Sequence, residues 1–256
     1  MNEKLPGGNI IAIASGKGGV GKTWLAITLA HLIARTGRKV LLFDGDIGLA
    51  NVDVQLGLTP KHDLSEVFYS GAALTDIITP YVQNFDIIAG RSGSGNLATL
   101  PAPMLTLLKE QLIALTFTYD FVFVDLGAGI EEHVRALALI ATRIIVVVTD
   151  EPTSLTDAYA FIKLCVSAGL GVGIDIVINQ ATSFKEGEKT YDLISKACIS
   201  FLKFIPPCIG IIRKDGKVRD TIRNQTSLIE RAPHCTAASD AASISIKLMQ
   251  RIGIRH

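Results

Sequence analysis

No stretch of the sequence approaches the roughly 18 apolar residues that a membrane span requires. Charged or turn-forming residues interrupt every hydrophobic run, although 48% of the 256 residues are hydrophobic. Neither charge is in excess: 25 Lys and Arg stand against 24 Asp and Glu, so no global field draws the chain to nucleic acid or to an anionic membrane. The four cysteines, Cys165, Cys198, Cys208 and Cys235, lie ten or more positions apart with no C-x-x-C. That spacing excludes a local zinc site or redox pair and predicts buried free thiols. The first eight residues are polar and carry Pro6, Gly7 and Gly8, so the apolar core of an export signal is missing and a cytoplasmic chain is expected. With no repeat, linker or low-complexity segment, residues 1–256 are expected to form a single domain, residues 1–8 being a flexible start and 237–256 a C-terminal helix.

What is present is a series of short apolar runs rich in β-branched residues: Asn9 to Ala14, Lys39 to Phe43, Phe121 to Asp125, Arg143 to Thr149, Gly173 to Asn179 and Cys208 to Ile212. Their hydrophobicity is continuous rather than alternating, as in strands covered on both faces. Helical spacing fills Lys22 to Thr36, Glu131 to Ala141, Ser154 to Ala168 and Glu188 to Lys203. The alternation predicts an α/β fold, a mostly parallel β-sheet flanked by helices on both faces. Asp63 to Leu115 is less regular, and the glycines and serines from Gly90 to Gly95 mark a surface loop.

Gly16 to Thr23, sequence G-K-G-G-V-G-K-T, matches G-x-x-x-x-G-K-[ST] between a strand and a helix, the setting that a phosphate-binding P-loop requires. Gly18, Gly19, Val20 and Gly21 let backbone N–H groups turn toward phosphate oxygens at the positive end of the following helix. Lys22 is expected to neutralise the β and γ phosphates, and the Thr23 hydroxyl to ligate Mg²⁺. Asp44 and Asp46 follow one strand and Asp125 ends another, at the strand ends where ligands of open α/β sheets bind. Trp24 either packs in the core or lies against the nucleotide.

The second lysine of the loop, Lys17, makes it K-G-G-V-G-K-T, which resembles the deviant Walker A signature of the MinD/ParA superfamily of dimerising ATPases. The resemblance implies that Lys17 reaches the phosphates of a partner chain, in the manner of a cation supplied in trans. It further implies Mg²⁺ held at Asp125, with Asp44 near the metal and Asp46 positioning the attacking water. Asn179, a strand-end residue that also suits a turn, corresponds to the asparagine that hydrogen-bonds adenine, and Gly210 to Asp215 to the G-x-I-P-x-D base loop, with Arg213 in place of proline. ATP, ADP and Mg²⁺ are the implied ligands, and a homodimer the ATP-bound state.

Two longer segments narrow the resemblance. Asp44 to Leu58 is similar to D-A-D-L-G-L-A-N-V-D-V-x-L-G-L, and Glu151 to Ala160 to E-P-T-S-x-T-D-A-Y-A, both of the FlhG/FleN branch that regulates flagellar number and placement. The branch implies that Glu151 faces the dimer partner, where it is expected to pair with Lys17. It also implies flagellar partners: an FlhF-type GTPase, C-ring switch components or a flagellar transcription regulator. The D-Q-A-x-x-L-R segment of that branch is missing. Ser154 and Asp157 have capping-box-like spacing, which makes Ser154 a helix cap. Ile244, Leu248 and Ile252 recur at i, i+4, i+8, which describes either the last core helix or a weak peripheral contact with the inner face of the membrane. No sequence-specific nucleic acid is expected. A MinD- or ParA-type positioning ATPase and a non-hydrolysing nucleotide-binding adaptor are the alternatives.

Overall fold

A computed structural model describes residues 9–90, 101–170 and 173–253. Residues 1–8 and most of the glycine- and serine-rich loop, 91–95, lie outside the described residues. Eight strands form one sheet: β1 Ile10–Ala14, β2 Val40–Gly45, β3 Thr79–Val82, β4 Phe85–Ile88, β5 Phe121–Leu126, β6 Arg143–Val148, β7 Ile174–Ala181 and β8 Cys208–Arg213. Their order is β3-β4-β2-β5-β1-β6-β7-β8. Only the β3–β4 pairing is antiparallel; the other pairings are parallel.

The helices are α1 Lys22–Ala34, α2 Val52–Leu56, α3 Leu64–Tyr69, α4 Ala102–Leu115, α5 Glu132–Ala138, α6 Pro152–Ser167, α7 Phe184–Leu202, α8 Gly216–Arg223, α9 Leu228–Arg231 and α10 Thr236–Arg251. Successive strand residues point to opposite faces, and the core divides accordingly. Ile11, Ile13, Leu42, Phe123 and Val147 join Leu25, Leu29 and Ile33 of α1 and Leu248 of α10 in one cluster. Ala12, Phe43, Val124 and Val146 join Leu112 of α4, Phe161 of α6 and Ile194 of α7 in the other. Both faces of the central strands are therefore covered, which is why those strands read as unbroken apolar runs. α1 is buried on nearly every side, pressed between the sheet, α10 and the loop helices.

β3 and β4, and the helices α2, α3, α4, α8 and α9, add to the elements expected from the sequence. β3 contains Pro80 and pairs on one side only, a placement suited to a residue without an N–H. Ser154 does not cap α6. The helix begins at Pro152 with Glu151 at its N-cap, and the Ser154 hydroxyl accepts the Thr149 N–H at 3.0 Å, tightening the β6–α6 turn instead. All four cysteines are free, with Cys165 and Cys198 buried and Cys208 and Cys235 half-buried.

α10 takes the core-packing alternative: Ile244 and Leu248 are buried. Gly210 of β8 passes it so closely that a Cβ would lie 2.2 Å from Ile244 Cγ1. At the far end of the helix Arg251 reaches Asp175 Oδ1 at 3.1 Å, while Arg143 holds Oδ2 at 2.7 Å. Asp175 is fully buried; burial raises its pKa, and the two arginines oppose the rise. Among the described residues no helix is long and apolar enough to cross a membrane. Removing one member of a buried ion pair typically costs about 3–5 kcal/mol. Asp175→Ala is accordingly expected to lower the urea midpoint sharply, and Arg251→Ala, at a more exposed position, to lower it less.

Candidate nucleotide site

The loop after β1 is shaped by close approach. A Cβ at Gly16 would lie 2.1 Å from the Asp157 carbonyl carbon of α6, and one at Gly21 would lie 2.5 Å from Asn179 Nδ2. Gly21 adopts φ +93°, a left-handed conformation that favours glycine. α1 starts at Lys22 with no side-chain cap and no acidic residue in its first turn. Its leading N–H groups are thus left for an anion, as phosphate binding demands. Gly18 and Gly19 are exposed on the loop, and open space surrounds the position of a Cβ at either.

Parallel register sets Asp44 of β2 directly beside Asp125 of β5. Both are essentially inaccessible to solvent. Burial, then the charge of Asp125, pushes the Asp44 carboxyl well above its ordinary value, and the N–H groups of Val52, Asn51 and Asp46 pull it back. Burial also raises Asp125; the Lys22 charge and the Thr23 hydroxyl oppose the rise, and Asp46 adds to it. Thr23 donates to Asp125 Oδ2 at 2.5 Å, whereas Asp125 Oδ1 is buried with no partner among the described residues.

An orphaned carboxylate oxygen beside a threonine hydroxyl fits a small hard cation that takes oxygen ligands. No group of three or more His, Cys, Asp or Glu that could hold a metal occurs among the described residues. Such a site therefore suits Mg²⁺ carried with phosphate and water rather than one caged by protein. Asp44, expected near the metal, commits both oxygens to the backbone: Asp46 N–H at 3.2 Å, Asn51 N–H at 2.9 Å and Val52 N–H at 3.0 Å. It shapes the β2–α2 loop. Asp46 is half-buried and faces Gly127, where a Cβ would stand 3.4 Å from its Oδ1.

Two adjoining cavities open here. The first, about 610 Å³, is lined by Gly18, Lys22, Thr23, Asp46, Gly127 and Glu131 among others. The second, about 710 Å³, is lined by Asn179, Gln180 and the loop and helix from Ile212 to Arg223. Their shared wall is Gly19, Gly21, Trp24 and Ile222. Trp24 is 4% exposed within the core and lines both cavities. Val20, the remaining loop residue, is buried in the α1-side core.

Three residues expected at the base also make contacts within the protein. Asn179 donates one N–H of Nδ2 to the Val20 carbonyl at 2.8 Å and so braces the phosphate loop, which leaves its second N–H and Oδ1 for a base. Arg213 is gripped by Asp240 of α10, Nε to Oδ2 at 3.0 Å and Nη2 to Oδ1 at 2.8 Å, and its guanidinium stacks 4.3 Å over Phe184. With no proline at 213, a bidentate carboxylate fixes this strand end instead. Asp215 accepts from the N–H groups of Lys217 and Ala237, joining the starts of α8 and α10. Burial raises its pKa, but those backbone donors outweigh it and hold the carboxyl low.

Lys17 and Glu151, expected to pair between chains, pair within one. Lys17 Nζ contacts Glu151 and donates to Thr153 Oγ1 at 2.9 Å. The cause is sheet order: β6 lies beside β1, so the β6–α6 turn adjoins the phosphate loop. Sequence reasoning missed Gln180, whose φ of +60° turns its amide toward the Gly19 carbonyl at 3.5 Å. It also missed Glu131, His133 and Gln55 on the first cavity; of these only Glu131 stood out in the sequence, as the start of a helical stretch.

Gly16→Ala is expected to displace the loop and abolish nucleotide binding in a calorimetric titration, because backbone, not a flexible side chain, occupies the space. The two raised carboxyls give a pH dependence. Stability they contribute when protonated is fully present below the ordinary value of 3.8 and is lost as pH rises through their higher folded values. The thermal midpoint of the nucleotide-free protein should fall from pH 5 toward neutrality, and Asp125→Asn should flatten that fall.

A family model described as the CobQ/CobB/MinD/ParA nucleotide binding domain matches residues 11–228. Antiactivator FleN of Pseudomonas aeruginosa is 34% identical over 239 residues, covering 93% of this chain and 85% of that protein. Flagellum site-determining protein YlxH of Helicobacter pylori is 31% identical, covering 88% of this chain and 76% of that protein. Among solved structures, septum site-determining protein MinD of Pyrococcus horikoshii complexed with Mg-ADP superposes with a TM-score of 0.81 at 25% identity, covering 96% of this chain and 97% of that one. The resemblance seen in the loop and in the two longer segments is borne out, and the chain belongs to the MinD/ParA family of nucleotide-binding proteins.

Proposed function

We propose that this chain is an ATP-dependent dimerising switch ATPase that regulates the number or placement of flagella. The observation that carries the switch is the position of Lys17, a half-exposed cation in the phosphate loop, held by Glu151 and Thr153 rather than turned to its own cavity. On this reading a second copy draws Lys17 off Glu151 and receives it at its own phosphates, where the charge stabilises the departing γ-phosphate. Lys22 would neutralise the phosphates of its own site, and Thr23 with Asp125 would hold Mg²⁺. Asp46, facing Gly127 at the cavity, orients the attacking water. Nucleotide binding by this family and the Mg-ADP complex of a similar MinD support the choice of ligand.

The flagellar assignment rests on similarity to FleN and YlxH. A septum-positioning role is the second reading, favoured by 31% identity to the Thermotoga maritima septum site-determining protein MinD. Light scattering is expected to give a monomer without nucleotide and a dimer with Mg-ATP. Lys22→Ala should bind no ATP, and Lys17→Ala should bind it yet stay monomeric. Asp46→Ala should dimerise but release phosphate at least about ten-fold more slowly. A monomer at all ATP concentrations would refute the switch. Capture by the Asp46→Ala dimer of septal rather than flagellar components would select the second reading.

A further inference from the structure

Besides Asp125 Oδ1, two buried polar atoms of residues on the first cavity lack partners among the described residues: the Trp24 indole nitrogen, a donor, and Gln55 Oε1, an acceptor. Leaving a buried donor or acceptor unpaired costs on the order of 1–3 kcal/mol, so each calls for a partner. The Gln55 amide is oriented, because its Nε2 donates to Asn51 Oδ1 at 3.1 Å and leaves Oε1 as the open end. Both residues line the first cavity, and Trp24 also lines the second.

The course of a nucleotide follows from the shared wall. Phosphates bound at the N-terminus of α1 lie in the first cavity, and a base in the second. The sugar and the α-phosphate must then cross Gly19, Gly21, Trp24 and Ile222. Of those four residues only Trp24 carries a side-chain hydrogen-bonding group. A phosphate oxygen only accepts, whereas a sugar hydroxyl accepts and donates at once and so satisfies an orphan donor and an orphan acceptor together. We propose that Trp24 and Gln55 form a ribose-reading pair, the indole N–H donating to a sugar hydroxyl that in turn donates to Gln55 Oε1, and that they select ribonucleotides over deoxyribonucleotides. The assignment rests on nucleotide binding at this site as proposed above.

Calorimetric titration of the full chain with ATP, 2′-deoxy-ATP and 3′-deoxy-ATP in Mg²⁺ tests it. Wild type should bind at least one deoxynucleotide roughly 5- to 10-fold more weakly than ATP, the size of one or two hydrogen bonds. Trp24→Phe, which keeps most of the ring, and Gln55→Leu, which keeps the length, should each reduce that ratio to about two-fold or less, with thermal midpoints showing that both variants fold. Equal affinities of wild type for all three nucleotides overturn the assignment. So do variants that weaken all three alike, since the two side chains would then support the site as a whole rather than read the sugar. A wild-type chain that binds no ATP overturns the underlying nucleotide reading as well.

Discussion

Two carboxylates lie side by side, out of water, at the ends of β2 and β5, and the surrounding chain is arranged to make that tolerable. An unpaired buried charge is prohibitively expensive, so each acid recruits its own support. Asp44 takes three backbone N–H groups from the segment that follows it, and in doing so curls residues 46–52 back over the end of β2. Asp125 takes the Thr23 hydroxyl and the nearby Lys22 charge, which ties β5 to the start of α1. The cavity forms between these two supports. Its unsatisfied remainder, one oxygen of Asp125, is where a cation has most to offer.

A second layer of contacts holds the loops to one another. Asn179 braces the phosphate loop through the Val20 carbonyl, Asp240 clamps Arg213, and Asp215 joins the starts of α8 and α10. Side chains that the family resemblance assigns to ligand are here engaged with protein. The second cavity therefore takes its shape from capping and ion pairing, while the Gln180 side chain and the remaining donor and acceptor of Asn179 line it.

Much of the sheet was legible because its six longest strands are continuous apolar runs, a pattern that two-sided burial produces. β3 and β4 were not, since four residues each, one of them Pro80, give too short a window for any period. The phosphate loop was legible because its chemistry requires glycine and lysine at fixed spacing. Partner choice is a different matter: the sequence places Lys17 and Glu151 near one nucleotide, but only the order β1-β6 decides that they touch within a chain. Ser154 shows the same limit, having the composition of a cap while its hydroxyl serves a turn one step earlier. Gln180 and Gln55 depend on one backbone torsion and one amide orientation, neither of which leaves a trace in composition.

Trp24 is the single tryptophan of the chain, and it stands in the wall that separates the two cavities. Indole emission depends on the polarity and hydrogen bonding around the ring, so with excitation selective for tryptophan over the five tyrosines the emission of the whole protein comes from one site. Filling either cavity changes the surroundings of the same ring. The unlabelled protein thus carries its own optical gauge of occupancy, and the kinetics of nucleotide entry and exit can be followed on native material.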